Sequence, residues 1–167
     1  MPVIQKKICL LGEFAVGKTS LVRRFVEGRF DDKYLSTIGV KISRKTIEHQ
    51  DTILKLLIWD LAGGEDFSRM GPSYLQGSAG ALIVGDLTRP DTLTTWVAHA
   101  KQIRAINPKA VLVFAANKAD LVDERRVNEA DLLASSQFLG GAYRLTSAKT
   151  GEGVEAAFTA LADLIHS

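Results

Sequence analysis

Short apolar runs alternate with stretches of helical period along the whole chain. Val3 to Leu11 predicts a strand, and Lys18 to Glu27 predicts a helix whose Leu21, Val22 and Phe25 share one face. Two more strands are predicted at about Lys41 to Glu48 and Thr52 to Trp59. The link His49-Gln50-Asp51 is short enough to allow only a hairpin, which makes one strand antiparallel. Polar and apolar residues mix between Lys41 and Ile47, as at a half-exposed sheet edge. Beyond them the pattern predicts a helix near Phe67 to Gln76, a strand from Ala81 to Val84, and a helix from about Pro90 to Ile106 that Asn107-Pro108 ends. Val111 to Ala115 reads as a fully buried strand and Asn128 to Phe138 as a helix. A last strand near Tyr143 to Leu145 precedes a helix from about Gly153, where Val154, Ala157, Phe158, Leu161, Leu164 and Ile165 form an apolar face.

Strands alternating with helices imply an α/β fold. We expect a six-stranded, mostly parallel sheet with one antiparallel strand and helices on both faces. A length of 167 residues suits a single domain spanning 1–167. Ligands of such sheets bind outside the carboxyl ends of the strands.

At the first of those ends stands Gly12-Glu13-Phe14-Ala15-Val16-Gly17-Lys18-Thr19, which fits G-x-x-x-x-G-K-[ST]. Its glycines let the backbone bend so that successive N–H groups meet phosphate oxygens, and the following helix adds the positive end of its dipole. Lys18 supplies a mobile charge for the outer phosphates, and the Thr19 hydroxyl can ligate Mg²⁺. The competing reading is a plain glycine-containing turn.

Charge and special residues narrow the field. A net charge of +2 gives no strong pull toward nucleic acid or an anionic membrane. The lone Cys9 lies in the first strand and reads as a small buried hydrophobe. His49, His99 and His166 show no metal-ligand spacing and read as surface residues. No apolar run is long enough to span a bilayer. The start is not a secretory signal, and the end carries no prenylatable cysteine, so the cytoplasm is the expected address.

Four further pieces complete a nucleotide site. Asp60 ends the apolar strand and can hold a metal's water shell, while Gly63 leaves a bare N–H for a terminal phosphate. Thr37, in the aperiodic stretch Arg29 to Gly39, can add a hydroxyl to Mg²⁺ and an N–H to the phosphate. Asn117-Lys118-Ala119-Asp120 follows the buried strand. The Asp120 carboxylate can accept hydrogen bonds from the ring N–H and exocyclic amine of guanine, which adenine cannot offer. Lys118 can cover a ring face, and Asn117 can tie loops together. Within Ser147-Ala148-Lys149, the Ala148 N–H can meet the guanine carbonyl.

These segments, in this order, closely resemble the Ras superfamily of small GTPases over nearly the whole chain. Trp59 before Asp60, Ser73-Tyr74 before Gly77, and Gly-Glu-x-Ala-Val-Gly-Lys in the loop look most like the Rab branch. The resemblance implies a P-loop small G domain that binds GTP or GDP with Mg²⁺ and hydrolyses GTP to GDP. Nucleotide contacts are then expected at Gly12, Ala15, Val16, Gly17, Lys18, Thr19 and Ser20. Phe30, Thr37 and Gly63 join them, with Asn117, Lys118, Asp120, Ser147, Ala148 and Lys149 around the base. Thr19, Thr37 and Asp60 are the expected metal residues, and Lys18, Thr37 and Gly63 the expected catalytic groups. Phe30 either packs edge-on against guanine or anchors its loop. Effectors are expected on the loops around Thr37 and Gly63 and on a patch of Ile42, Trp59 and Tyr74, whose other reading is ordinary packing. Activating and exchange factors are implied as well.

Two departures stand out. Gly64 replaces the glutamine that orients the attacking water in most of the family, so slow hydrolysis is expected. Phe14 occupies a position usually held by glycine or a small polar residue, and either borders the terminal phosphate or folds back onto the loop. The cysteine-ended tail of most Rab proteins is absent from this sequence, which fits an unlipidated protein or a truncated one. Any membrane association then runs through partners or a missing tail. Two alternatives remain: an interaction module that keeps GTP and never cycles, and a P-loop ATPase or small-metabolite kinase, against which Asp120 argues.

Overall fold

Between Ile8 and Leu11 every side chain is buried, Ile8 and Leu10 in one apolar cluster and Cys9 and Leu11 in another. A strand alternates its side chains, so both of its faces must be covered. A computed structural model describes residues 2–27, 40–61 and 72–166. Among these, β1 (Val3–Gly12), β2 (Val40–His49), β3 (Thr52–Leu61), β4 (Ser78–Asp86), β5 (Val111–Asn117) and β6 (Ala142–Leu145) form one six-stranded sheet in the order β2-β3-β1-β4-β5-β6. The β2–β3 hairpin is antiparallel and the other pairs are parallel, as the pattern predicts.

The α-helices among the described residues are α1 (Lys18–Glu27), α2 (Asp91–Thr94), α3 (Trp96–Ile106), α4 (Glu129–Phe138) and α5 (Val154–His166). Leu21 and Val22 of α1 pack with Phe158 and Leu161 of α5 on one face of the sheet, where Phe25 stacks on Phe158 at 4.1 Å between ring centroids. Trp96 and Ile103 of α3 and Leu132 of α4 cover the other face, with Trp96 4.7 Å from Phe114. Cys9 is fully buried, and burial pushes its thiol pKa up; its Sγ lies 2.9 Å from Ser78 Oγ.

The helix expected from Pro90 to Ile106 is broken at Thr95. Thr92, Thr94 and Thr95 each donate a hydroxyl hydrogen bond to the carbonyl three residues back, at 2.7 to 2.8 Å. Such bonds compete with the helical ladder. Of the helix expected near Phe67 to Gln76, residues 67–71 lie outside the described residues, and Pro72–Leu75 is a 3₁₀ turn. Asn128 starts α4 as its N-cap, accepting from the Asp131 N–H at 2.8 Å.

Reading all three histidines as surface residues fails for two of them: His49 and His99 are buried. His49 sits at the end of β2 with its ring on the Asp163 carboxylate of α5, a contact between elements far apart in sequence.

Candidate nucleotide-binding site

The ends of β1, β3, β4, β5 and β6 open on one side of the sheet. β1 lies between β3 and β4, where the chain's path across the sheet changes direction, the usual place for a ligand. The loop after β1 has positive φ at Gly12 (155°), Ala15 (62°) and Gly17 (103°). Turns of this kind point successive backbone N–H groups into a concavity that takes anions. Glycine is required twice for space as well as for φ. A Cβ on Gly12 would stand 2.6 Å from the Val84 carbonyl oxygen, and one on Gly17 would stand 2.3 Å from Asn117 Nδ2.

Lys18 begins α1 and is 5% exposed; its ammonium donates to the carbonyls of Gly12 (3.1 Å) and Glu13 (3.4 Å). Burial lowers its pKa, and the nearby Asp60 and Glu13 carboxylates oppose that shift. Thr19 donates its hydroxyl to Asp60 Oδ2 at 2.5 Å. Asp60 pairs with Leu10 across β1–β3 and is 1% exposed, and burial raises its pKa against the pull of Thr19, Lys18 and Lys41. Its other oxygen, Oδ1, is buried without a hydrogen-bond partner. An unsatisfied carboxylate oxygen beside a hydroxyl is a donor set that suits a hard, oxygen-seeking cation such as Mg²⁺. No cluster of three or more His, Cys, Asp or Glu occurs among the described residues that could hold a metal by itself.

Asn117 is the tie expected from the sequence. Its Nδ2 donates to the Val16 carbonyl at 2.9 Å, and its Oδ1 accepts from Thr146 Oγ1 at 3.0 Å. Three loops are thus bound through one amide. Asp120 accepts from Ser147 Oγ at 2.7 Å, and that same Oγ accepts from the Thr150 N–H at 3.1 Å. Ala148 is buried next to them and Lys149 is exposed. Ser20 is half-buried in the first turn of α1. The remaining predicted site residues, Phe30, Thr37 and Gly63, lie outside the described residues, as does Gly64.

Several residues escaped the sequence reading. Asp86, at the end of β4, is fully buried and accepts from Lys118 Nζ (2.9 Å), Arg89 Nε (3.0 Å), and the Thr88 N–H (2.9 Å) and hydroxyl (2.7 Å). Burial alone would raise its pKa, but these bonds outweigh it and hold the carboxyl below the usual range. The one available signal was an acid ending a buried apolar strand on the ligand side. Lys7 holds the expected effector patch: its ammonium sits 3.7 Å over the Trp59 ring and donates to the carbonyls of Tyr74 and Gln76 at 2.7 Å. Ile42 pairs with Trp59 across β2–β3 and is 50% exposed; Tyr74 is 36% exposed. Phe14 is 56% exposed.

His99 of α3 packs behind the loop, with Nε2 3.9 Å from Glu13 Oε1. Burial, helped by the Lys18 charge, pushes its pKa down to about 4 from 6.5. Between those values the unfolded chain binds a proton that the folded one excludes. Stability is therefore complete above about pH 6.5, and on the order of 3 kcal/mol is lost as pH falls to about 4. Urea unfolding of wild type and His99→Gln across that range should show the variant missing this component. Identical pH profiles for the two proteins would refute it.

A parallel-sheet P-loop fold with an Asn-Lys-x-Asp segment at a neighbouring strand end defines a guanine-nucleotide-binding domain. The sequence model of the Ras family matches residues 7–167. Ras-related protein Rab-22A of Homo sapiens is 39% identical over 168 residues, covering 100% of this chain and 87% of that protein. Ras-related protein Rab-31 of Homo sapiens is 38% identical over 159 residues (95% of this chain, 82% of that protein). Ras-related protein Rab-21 of Geodia cydonium is 38% identical over 165 residues (97% and 71%). The chain belongs to the Ras family and to its Rab branch: it is a GTP-binding small GTPase. Among the described residues no helix is long and apolar enough to cross a membrane.

Proposed function

We propose that residues 1–167 form a single G domain acting as a slow switch, which holds GTP or GDP with Mg²⁺ and offers its GTP-ordered loops to effectors. The observation that carries this reading is the Thr19–Asp60 pair with its orphaned Asp60 Oδ1, set beside the buried Lys18 ammonium. Thr19, Thr37 and Asp60 would hold Mg²⁺, which neutralises charge on the outer phosphates when bound. Lys18 and the loop N–H groups stabilise the charge that develops as water attacks the terminal phosphoryl group. The N–H groups of Thr37 and Gly63 tether their loops to that phosphate, and its loss releases them. Guanine sits against Asp120, with Lys118 over a ring face, Phe30 edge-on and the Ala148 N–H at its carbonyl.

Effectors meet those loops and the Ile42, Trp59 and Tyr74 patch, of which Lys7 of β1 holds the Trp59 ring and the Tyr74 backbone. Activating and exchange factors complete the cycle. The work is cytoplasmic, with membrane association through partner proteins or a C-terminal tail.

Small GTPases turn over at only ~10⁻⁴ s⁻¹ unaided even with the water-orienting glutamine. Gly64 lacks that amide, so hydrolysis here is slower still. In single-turnover assays Gly64→Gln should accelerate hydrolysis about tenfold by restoring orientation of the water; no acceleration would refute this account of the slow step. The exposed Phe14 ring favours a second reading, in which the ring blocks a partner's arginine and the protein remains a GTP-bound interaction module. Bound nucleotide followed over time in cell extract separates the two: conversion to GDP supports cycling, and persistent GTP supports the static module.

A further inference from the structure

We infer that Asp86 is a positioning residue that couples the base-recognition loop to the phosphate loop, with Arg89 as its arm. One oxygen, Oδ2, receives both the Lys118 ammonium at 2.9 Å and Arg89 Nε at 3.0 Å. Arg89 then reaches on with its Nη2 to the Phe14 carbonyl at 2.9 Å. Asp86 pairs with Asn117 across β4–β5, and one of its oxygens anchors both the Lys118 side chain of the base-recognition segment and the Arg89 side chain that reaches the phosphate loop. Lys118 has a left-handed backbone (φ 68°), an uncommon conformation for a lysine, and its side chain is directed to Asp86 from that turn. The Leu87 N–H donates to the Asn117 carbonyl at 3.0 Å, fixing β4's end against the same loop.

Two cations share one fully buried carboxylate, so each is held more firmly than on the surface. Removing the acid frees Lys118 to leave the base plane and lets Arg89 release Phe14. Removing Arg89 alone loosens only the phosphate side. The Thr88 hydroxyl bonds Oδ1 and reaches neither loop. It therefore separates a positioning role from simple packing.

This inference rests on the reading of Asp120 and Lys118 as the guanine site. The test is the release rate of fluorescent GDP from the purified protein in Mg²⁺ buffer, alongside thermal unfolding. Asp86→Asn should release GDP about ten- to a hundredfold faster, the range for losing hydrogen bonds to a buried charge. Arg89→Met, at a side chain 39% exposed and therefore tolerant of change, should give a smaller acceleration. The double variant should match Asp86→Asn, because the arm has no anchor once the acid is gone. Thr88→Val should lower the thermal midpoint and leave release within about twofold of wild type.

Rates that multiply in the double variant, or Thr88→Val releasing GDP as fast as Asp86→Asn, would overturn the coupling. Should Asp86→Asn fail to fold, an unchanged rate in Arg89→Met overturns it equally. Wild-type protein that binds no GDP would instead remove the parent reading, an outcome visible before any variant is made.

Discussion

Asp120→Asn should exchange the preferred base, lowering GTP affinity by about 10⁴-fold while creating affinity for xanthine nucleotides. The magnitude comes from pairing logic. A carboxylate matched to two N–H donors is worth far more than its loss of contact area, because a mismatched base leaves buried polar groups unpaired. The side chain is also held before any ligand arrives: Ser147 donates to its Oδ1 at 2.7 Å, and the Thr150 N–H fixes Ser147 at 3.1 Å. An asparagine there offers a donor and an acceptor, the pattern complementary to xanthine. Competition binding with GTP, XTP and ATP reads the outcome. A variant that keeps its GTP preference refutes Asp120 as the selector, and equal GTP and ATP affinity in wild type removes base selection altogether.

Those motifs were legible because each is local. The phosphate loop is eight consecutive residues whose glycines answer to nearby backbone, and the β2–β3 hairpin follows from a link too short for a crossover. The apolar period placed every strand, though β4 runs from Ser78 to Asp86, well beyond the expected Ala81 to Val84. That extension is what carries Asp86 to the ligand side. Its role needed knowledge of which cations arrive from Arg89 and Lys118, and no spacing rule encodes the second of them.

Histidines failed for the same reason. His99 looks like a polar residue on an amphipathic helix, but α3 packs that side onto the loop, and Glu13 and Lys18 become its neighbours. Threonine back-bonding at Thr92, Thr94 and Thr95 could have been anticipated, since three such residues within four positions weaken a helix. Apolar periodicity ignores hydroxyls, so the break went unseen.

Lys18→Met should cut GTP and GDP affinity roughly 30- to several-thousand-fold, the span for truncating one partner of a buried charge pair. A methionine of similar length leaves the packing of α1 under the loop nearly intact. What it removes is a cation that the fold keeps at 5% exposure, where burial works against its charge. Burial works against this charge more than the Asp60 and Glu13 carboxylates support it, and a bound anion tips the balance in its favour. The thermal midpoint of nucleotide-free Lys18→Met should therefore stay near that of wild type or rise above it, even as binding collapses. Lys18→Arg should not restore affinity, since a planar fork cannot take the place of a compact ammonium donating to Gly12 and Glu13 at 3.1 and 3.4 Å. Fluorescent-GDP titration and thermal unfolding on the same samples decide the matter. Binding within about threefold of wild type would show that this ammonium does not meet the phosphates, because a charge-assisted bond is worth more than that factor. A large fall in the midpoint would show that the charge stabilises the fold and was not held there at a cost for the sake of the ligand.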